Sequence, residues 1–195
     1  MMQSTVIQNG LPLTIIDNLL SPEECKTLIN RADHVKDKDG NRGWHMADTG
    51  GLYMRVVMID PTLADTLFQR IKAFLPETYK GFKILYLNSH FRFSKYAAGG
   101  HFPLHRDGTN LDKDRLETYG ETQSMFTLNI FLNDDFLGGE TEFFSQKRGQ
   151  FSSRYIAKPK AGRAALFYAN QLHRGNTVQT PYKYLLRTDV MVRAI

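Results

Sequence analysis

A histidine and an aspartate stand two positions apart in "HFPLHRDG" (101–108): His105 and Asp107. The segment reads as an extended strand. Residues two apart on a strand project from one face, with α-carbons roughly 6.5–7 Å apart. An imidazole and a carboxylate placed this way fit two adjacent positions around one metal ion. Such a pair recurs by chance, and two ligands hold a metal poorly, so the motif predicts a third ligand from a distant strand. His173 in "QLHRGNTV", which follows an apolar run ending at Phe167, is the candidate.

Two histidines and a carboxylate on one face of an octahedron leave three positions open, the arrangement of non-haem Fe(II) oxygenases. Zinc hydrolase sites use the same ligand types, so donor chemistry alone leaves iron and zinc both open. A redox site needs a co-substrate for the open positions, and a dicarboxylate needs a buried cation. "YKYLLRTDV" offers Lys183 and, at the same strand parity, Arg187. A basic residue inside an apolar strand is costly unless paired, so both are candidates for anion binding. Of the other histidines, His34 and His90 read as solvated. His45 lies in the loop-like "NRGWHMADTGG", which would equally suit a substrate lid. His101 shares parity with His105 and reads as supporting the site rather than ligating.

The elements that must hold these residues divide the chain. "SPEECKTLINRADHV" opens with Ser21 as a cap, Pro22 at the first helical position and Glu24 completing a capping box. "DPTLADTLFQRIKAFLP" repeats the pattern behind Asp60 and Pro61, with Leu63, Leu67, Phe68, Ile71, Phe74 and Leu75 at helical spacing. After Pro76 come short aromatic and β-branched segments closed by Gly, Asn or Asp: "FKILYLN", "HFRFSKY", "HFPLHRD", "MFTLNIFLN", "TEFF", "RAALFY" and "YKYLLRTDVMV". The expectation is a mainly β, α+β protein: a jelly roll buttressed on one side by N-terminal helices. It reads as one domain over 1–195, with residues 1–80 as helical support and 81–195 as the core. Parity in "MFTLNIFLN" sets Thr127, Asn129 and Phe131 towards the interior, opposite Phe126, Leu128 and Ile130.

Composition narrows the class. The 195 residues are 42% hydrophobic and 23% charged, ordinary for a globular chain. The single cysteine, Cys25, excludes an intrachain disulfide and suits a reducing compartment. "MMQSTVIQNG" has no basic region leading into an apolar stretch, and no run is long enough to span a bilayer, so the expectation is a soluble intracellular, cytoplasmic protein with no membrane partner. The net charge of +5 is spread evenly, with no nucleic-acid stripe. Only 145–163, with six basic residues and no acid, stands out: a solvated edge or a site for an acidic partner.

The ordered set "FRFSKYAAGGHFPLHRDG", "TLNIFLNDDFLGGETEFF", "AGRAALFY", "LHRGNTV" and "KYLLRTDV" closely resembles the 2-oxoglutarate- and Fe(II)-dependent dioxygenases of the prolyl 4-hydroxylase type, from about Phe82 to the C-terminus. The resemblance implies that His105, Asp107 and His173 bind iron, and that Lys183 binds the distal carboxylate of 2-oxoglutarate. It further implies that Tyr96 helps to hold this carboxylate and that Thr141 of "GGET" lines the co-substrate pocket, into which parity also turns Asn129. The implied cofactors are Fe(II), 2-oxoglutarate and O2, with ascorbate as an optional reductant. Relatives often carry tyrosine at Phe131, so one co-substrate hydrogen bond would be missing here. Those acting on peptidyl proline often carry arginine at Ser124. The implied activity is hydroxylation of an unactivated C–H, on a protein or peptide residue in preference to a small molecule. A methylated nucleic-acid base and a non-catalytic jelly-roll binding module are the alternatives. Segment 109–124 is expected to form a loop over the mouth, and Arg92 reads equally as a substrate contact or a structural ion pair.

Overall fold

A computed structural model describes residues 2–7, 12–36, 39–40, 43–48, 50–113 and 115–195. Asn41, Arg42 and Thr49 of the expected lid stretch, and Asp114 of segment 109–124, lie outside them. The strands are β1 (Gln3–Ile7), β2 (Leu13–Asp17), β3 (His45–Met46), β4 (Met54–Ile59), β5 (Thr78–Tyr79), β6 (Phe82–Leu87) and β7 (His90–Tyr96). They continue as β8 (Phe102–His105), β9 (Gln123–Phe131), β10 (Thr141–Lys147), β11 (Gln150–Ala157), β12 (Ala164–Tyr168), β13 (His173–Gly175) and β14 (Lys183–Ala194). The helices are α1 (Pro22–Asp33), α2 (Pro61–Ile71) and the single turn α3 (Leu116–Tyr119).

Each long helix starts where its capping chemistry requires. The Ser21 hydroxyl accepts from the Glu24 N–H at 3.2 Å while the Glu24 carboxylate accepts from the Ser21 N–H at 2.7 Å, satisfying two otherwise orphaned donors. Asp60 caps α2 through the Leu63 N–H at 2.9 Å, and its carboxylate also pairs with Arg31 of α1 at 2.6 Å. Arg70 closes the other end of the pair on Glu24 at 2.7 Å. The apolar stripes, Cys25, Leu28 and Ala32 on α1 and Ala64, Leu67 and Ile71 on α2, are thereby turned onto one face of a sheet.

That sheet runs β1-β2-β12-β9-β14-β7-β4-β3, with β6 joined to β14 and β5 to β6. A smaller sheet, β11-β10-β13-β8, lies opposite. All the pairings between named strands are antiparallel, and the fold is a jelly roll. Period-two alternation gives the larger sheet two faces. Phe126, Leu128 and Ile130 of β9 join the helix-facing core with Phe91, Phe93 and Leu186, while Phe131 joins Tyr96, Phe143, Phe167 and Leu185 between the sheets.

Two features depart from expectation. The first third holds more than helices, since β1, β2, β3 and β4 extend the large sheet. β4 lies directly against β7, so Arg55 faces Ser94 and Val57 faces Arg92. His45 is therefore in an edge strand, not a free loop. Segment 109–124 starts beside the cavity, where the Asn110 side chain donates to Asp189 at 2.9 Å, and then folds back onto β6. The Tyr86 hydroxyl contacts Asp112 at 3.1 Å and Thr122 at 2.8 Å, and the Tyr119 ring stacks on Tyr86. Ser124, buried, accepts from the Asn110 N–H at 2.8 Å and so pins the base of this segment. Among the described residues no helix is long and apolar enough to cross a membrane.

Candidate metal and co-substrate site

Antiparallel pairing of β8 with β13 places His105 directly opposite His173. The two ring centroids are 4.2 Å apart. Asp107 follows β8, held by a hydrogen bond from its N–H to the Ala169 carbonyl at 2.9 Å. One oxygen of its carboxylate is 3.4 Å from His105 Nε2 and the other 3.9 Å from His173 Nε2. One ligand atom from each of the three lies within 4.8 Å of the others.

Backbone carbonyls set which nitrogen of each ring faces inward. His105 Nδ1 lies 2.9 Å from the Pro103 carbonyl oxygen, and His173 Nδ1 lies 2.8 Å from that of Gln171. A carbonyl only accepts, so each Nδ1 carries the proton and each Nε2 keeps a lone pair directed at the common point. Burial, the dominant influence on His173, pushes its pKa down to about 4, so it stays a neutral ligand. For Asp107 burial is again the largest influence and by itself would raise the pKa. The charge of Arg187 and the hydrogen bond donated by the Thr127 hydroxyl outweigh it and hold the carboxyl well below its usual range. Two imidazoles and an ionised carboxylate suit a divalent cation.

Thr127, fully buried, donates to Asp107 at 2.6 Å and fixes the carboxylate's rotation. Thr127→Val keeps the volume and removes this donor. Loss of such a supporting bond typically weakens a metal site about 10–100-fold. We expect that loss in an Fe(II) titration, with a modest fall in the thermal midpoint from the lost bond to a buried carboxylate.

A second group lies deeper between the sheets. Lys183 pairs across the strands with Tyr96 and is 1% exposed. Its ammonium donates to the Gly139 carbonyl at 2.7 Å and sits 4.8 Å from the Tyr96 ring centroid and 5.5 Å from that of Phe131. Among the described residues no carboxylate comes within ion-pair distance of it. Burial accordingly pushes its pKa down to about 7. Burial likewise raises the Tyr96 phenol above its usual range. Arg187 is differently placed: its guanidinium is 2.9 Å from Asp107 and 3.4 Å from Asp189. The two cations that shared one parity in the sequence thus have separate surroundings, one unpaired at depth and one committed to the carboxylate of the histidine cluster.

His105, Asp107, His173, Tyr96, Thr141, Lys183, Arg187 and Asn129 all line one cavity of about 530 Å³, its open mouth included. Among the described residues, the buried side-chain polar atoms without a hydrogen-bond partner are Arg55 Nε, Asn129 Oδ1 and Arg187 Nε, and all three belong to residues lining this cavity. Buried polar atoms are nearly always paired, so their concentration here marks a place completed by ligand. The donor set and these orphaned atoms fit a divalent metal with a polar anionic co-substrate.

Other expected residues fall elsewhere. His101 is exposed, its ring on the Gly99 carbonyl, and does not line the cavity. Simple alternation fails here because the β8–β13 register shifts between His173 and Gly175, so Phe102 turns inward instead. Arg92 makes the structural ion pair of its two readings, with Asp189 at 2.8 Å, and also lines the cavity. None of residues 109–113 and 115–124 lines it. Tyr53 and Arg55 do, and sequence reasoning missed them. The signal was the alternation of Tyr53, Arg55 and Val57 against Met54, Val56 and Met58, overlooked because the first third was read as helical.

The sequence model of the 2OG-Fe(II) oxygenase superfamily matches residues 91–188. No curated protein sequence matches the chain. Among solved structures, a viral collagen prolyl hydroxylase from Paramecium bursaria Chlorella virus-1, in complex with 2OG, is similar with a TM-score of 0.63 at 20% identity, over 96% of this chain and 98% of that one. A Pseudomonas putida prolyl-4-hydroxylase is similar with a TM-score of 0.62 at 16% identity, over 97% and 98%. A Burkholderia pseudomallei oxidoreductase of the 2OG-Fe(II) oxygenase family has a TM-score of 0.54 at 11% identity, over 92% and 84%.

Proposed function

Since the chain belongs to the 2OG-Fe(II) oxygenase superfamily and is a dioxygenase using Fe(II), 2-oxoglutarate and O2, we propose that it hydroxylates an unactivated C–H of a peptidyl residue, proline being the first candidate. The observation that carries this reading is the three-ligand cluster of His105, Asp107 and His173, set in a fold shared along nearly its whole length with two prolyl hydroxylases. In this reading residues 1–195 act as one unit, because β2 and β4 extend the same sheet that carries Lys183.

When bound, Fe(II) and 2-oxoglutarate supply the oxidising chemistry that replaces C–H by C–OH, consuming O2 and leaving succinate and CO2. The chain's contribution is orientation and exclusion of water. His105, His173 and Asp107 hold the metal, with Thr127 and Arg187 fixing the carboxylate. Lys183 holds the distal carboxylate of 2-oxoglutarate, and Tyr96 and Thr141 complete that end of the pocket. Phe131 offers that pocket a ring face and no hydroxyl. Phe102 and Leu185 supply apolar wall on either side. Ordering two reactants in one cavity lowers the entropic barrier to their encounter.

The decisive assay incubates the protein with Fe(II), 2-oxoglutarate and O2 against proline-containing peptides and free proline. Peptides should gain the mass of one oxygen atom in step with succinate release. Succinate release coupled only to a free small molecule, with every peptide unmodified, would reject the peptidyl substrate while leaving the reaction class intact.

A further inference from the structure

The inward face of three adjacent strands, β4, β7 and β14, carries an arginine on each. Arg92 stands opposite Arg187, and Arg55 stands opposite Ser94, diagonal to Arg92 and two strands from Arg187. All three line the cavity together with Lys183. Against these four cations stand two carboxylates, Asp107 and Asp189, which occupy Arg187 and Arg92. Loading with Fe(II) and the 2-oxoglutarate dianion adds equal and opposite charge. The loaded cavity therefore keeps positive charge in excess, in a setting where uncompensated charge is expensive.

Part of this excess can be assigned to one residue. Lys183 is the cation for 2-oxoglutarate in the reading above, on which this inference rests, and Arg92 and Arg187 have their carboxylates. Arg55 has no carboxylate within ion-pair distance among the described residues. Its guanidinium donates to the Tyr53 hydroxyl and lies 5.5 Å from that ring's centroid, which orients it, while its Nε is buried without a partner. A planar fork held by an aromatic neighbour and left with free donors is suited to a carboxylate.

We propose that Arg55 is the docking point for a carboxylate on the substrate, so that the compound hydroxylated is an acid as well as a C–H donor. The carboxylate has two sources: an acidic side chain beside the target residue of a peptide, or the carboxyl group of a free amino acid.

The test measures binding to the full chain loaded with Fe(II) and 2-oxoglutarate in the absence of O2, by calorimetric titration of two matched pairs. One pair is acetyl-aspartyl-proline amide against acetyl-asparaginyl-proline amide; the other is free proline against prolinamide. In at least one pair the carboxylate member should bind about tenfold tighter or more, and the pair that shows it identifies the source. Arg55→Gln should abolish the preference. Arg55→Lys, which keeps the charge without the fork, should retain part of it and decides the matter if the glutamine variant does not fold. Equal binding within both pairs, a preference that survives Arg55→Gln, or loss of 2-oxoglutarate binding in that variant would each overturn the proposal. If carboxylate preference holds while no proline peptide is ever hydroxylated, the peptidyl reading fails and the role of Arg55 stands.

Discussion

Asp107→Asn should yield a folded protein whose affinity for Fe(II) is at least ~100-fold lower and whose succinate release is at background. The asparagine keeps the shape and can still accept from Thr127, so the packing between the sheets survives. What is lost is the negative charge that both histidines and Arg187 face. The metal-free protein should itself lose about 1–3 kcal/mol, because Arg187 keeps only the longer contact to Asp189. Two measurements check this: Fe(II) titration for the site, thermal unfolding for the fold. Near-normal turnover at stoichiometric iron would remove Asp107 from the ligand set. Asp107→Glu should fare little better, since an added methylene carries the carboxylate away from the point where the two Nε2 atoms converge. His105→Ala and His173→Ala should share the loss of metal. They should differ in stability, because the His173 side chain is 5% exposed and its ring packs on Phe143 and Phe167, while that of His105 is 24% exposed.

How far these roles were legible depended on how each residue signals itself. His105 and Asp107 stood out by their spacing, although β8 ends at His105 and Asp107 reaches the same point from just beyond it, opposite His173. The strands from β6 to β10, with β12 and β14, were readable from alternation and turn residues, as were α1 and α2 from their caps. The edge strands were not. β11 is exposed along most of its length and the basic run passes through it, so "QFSSRYIA" reads as a solvated edge. β13 is three residues long and exists only because β10 and β8 flank it. β4 was hidden by its position between two well-marked helices, and with it went Arg55. His101 was misjudged for a different reason: parity assumes an unbroken ladder, and one register shift turned Phe102 inward. Segment 109–124 looked like a lid because it is polar and long. What redirects it is the Tyr86 side chain of β6, a tertiary contact with no local trace. The rivalry between Lys183 and Arg187 was likewise open in the sequence, since both share one parity. Only their neighbours separate them.

Those neighbours give the second large effect. Lys183→Met should raise the dissociation constant for 2-oxoglutarate by about two to four decades, the scale of breaking a buried charge pair, while Arg187→Ala should act chiefly through the metal. The same lysine predicts opposite pH trends for the empty and the loaded protein. Burial lowers its pKa from 10.5 to about 7 in the folded state. Between those values the unfolded chain binds more protons, so the empty protein gains stability as pH rises from about 7 towards 10.5 and loses that contribution as pH falls through 7. A distal carboxylate needs the ammonium form. Affinity for 2-oxoglutarate should therefore be flat below about pH 7 and fall about tenfold per unit above it, until the raised pKa of the complex is reached. Thermal midpoints at pH 6.5 and 8.5, with and without saturating 2-oxoglutarate, read both trends, because a ligand stabilises in proportion to the logarithm of its occupancy ratio. The stabilisation by 2-oxoglutarate should shrink at the higher pH in the wild type. In Lys183→Met, where a flexible apolar chain fills the same volume, it should be absent at both. An unchanged pH trend in that variant, or normal 2-oxoglutarate affinity, would transfer the co-substrate cation to Arg187 and leave the buried ammonium without a ligand to explain it.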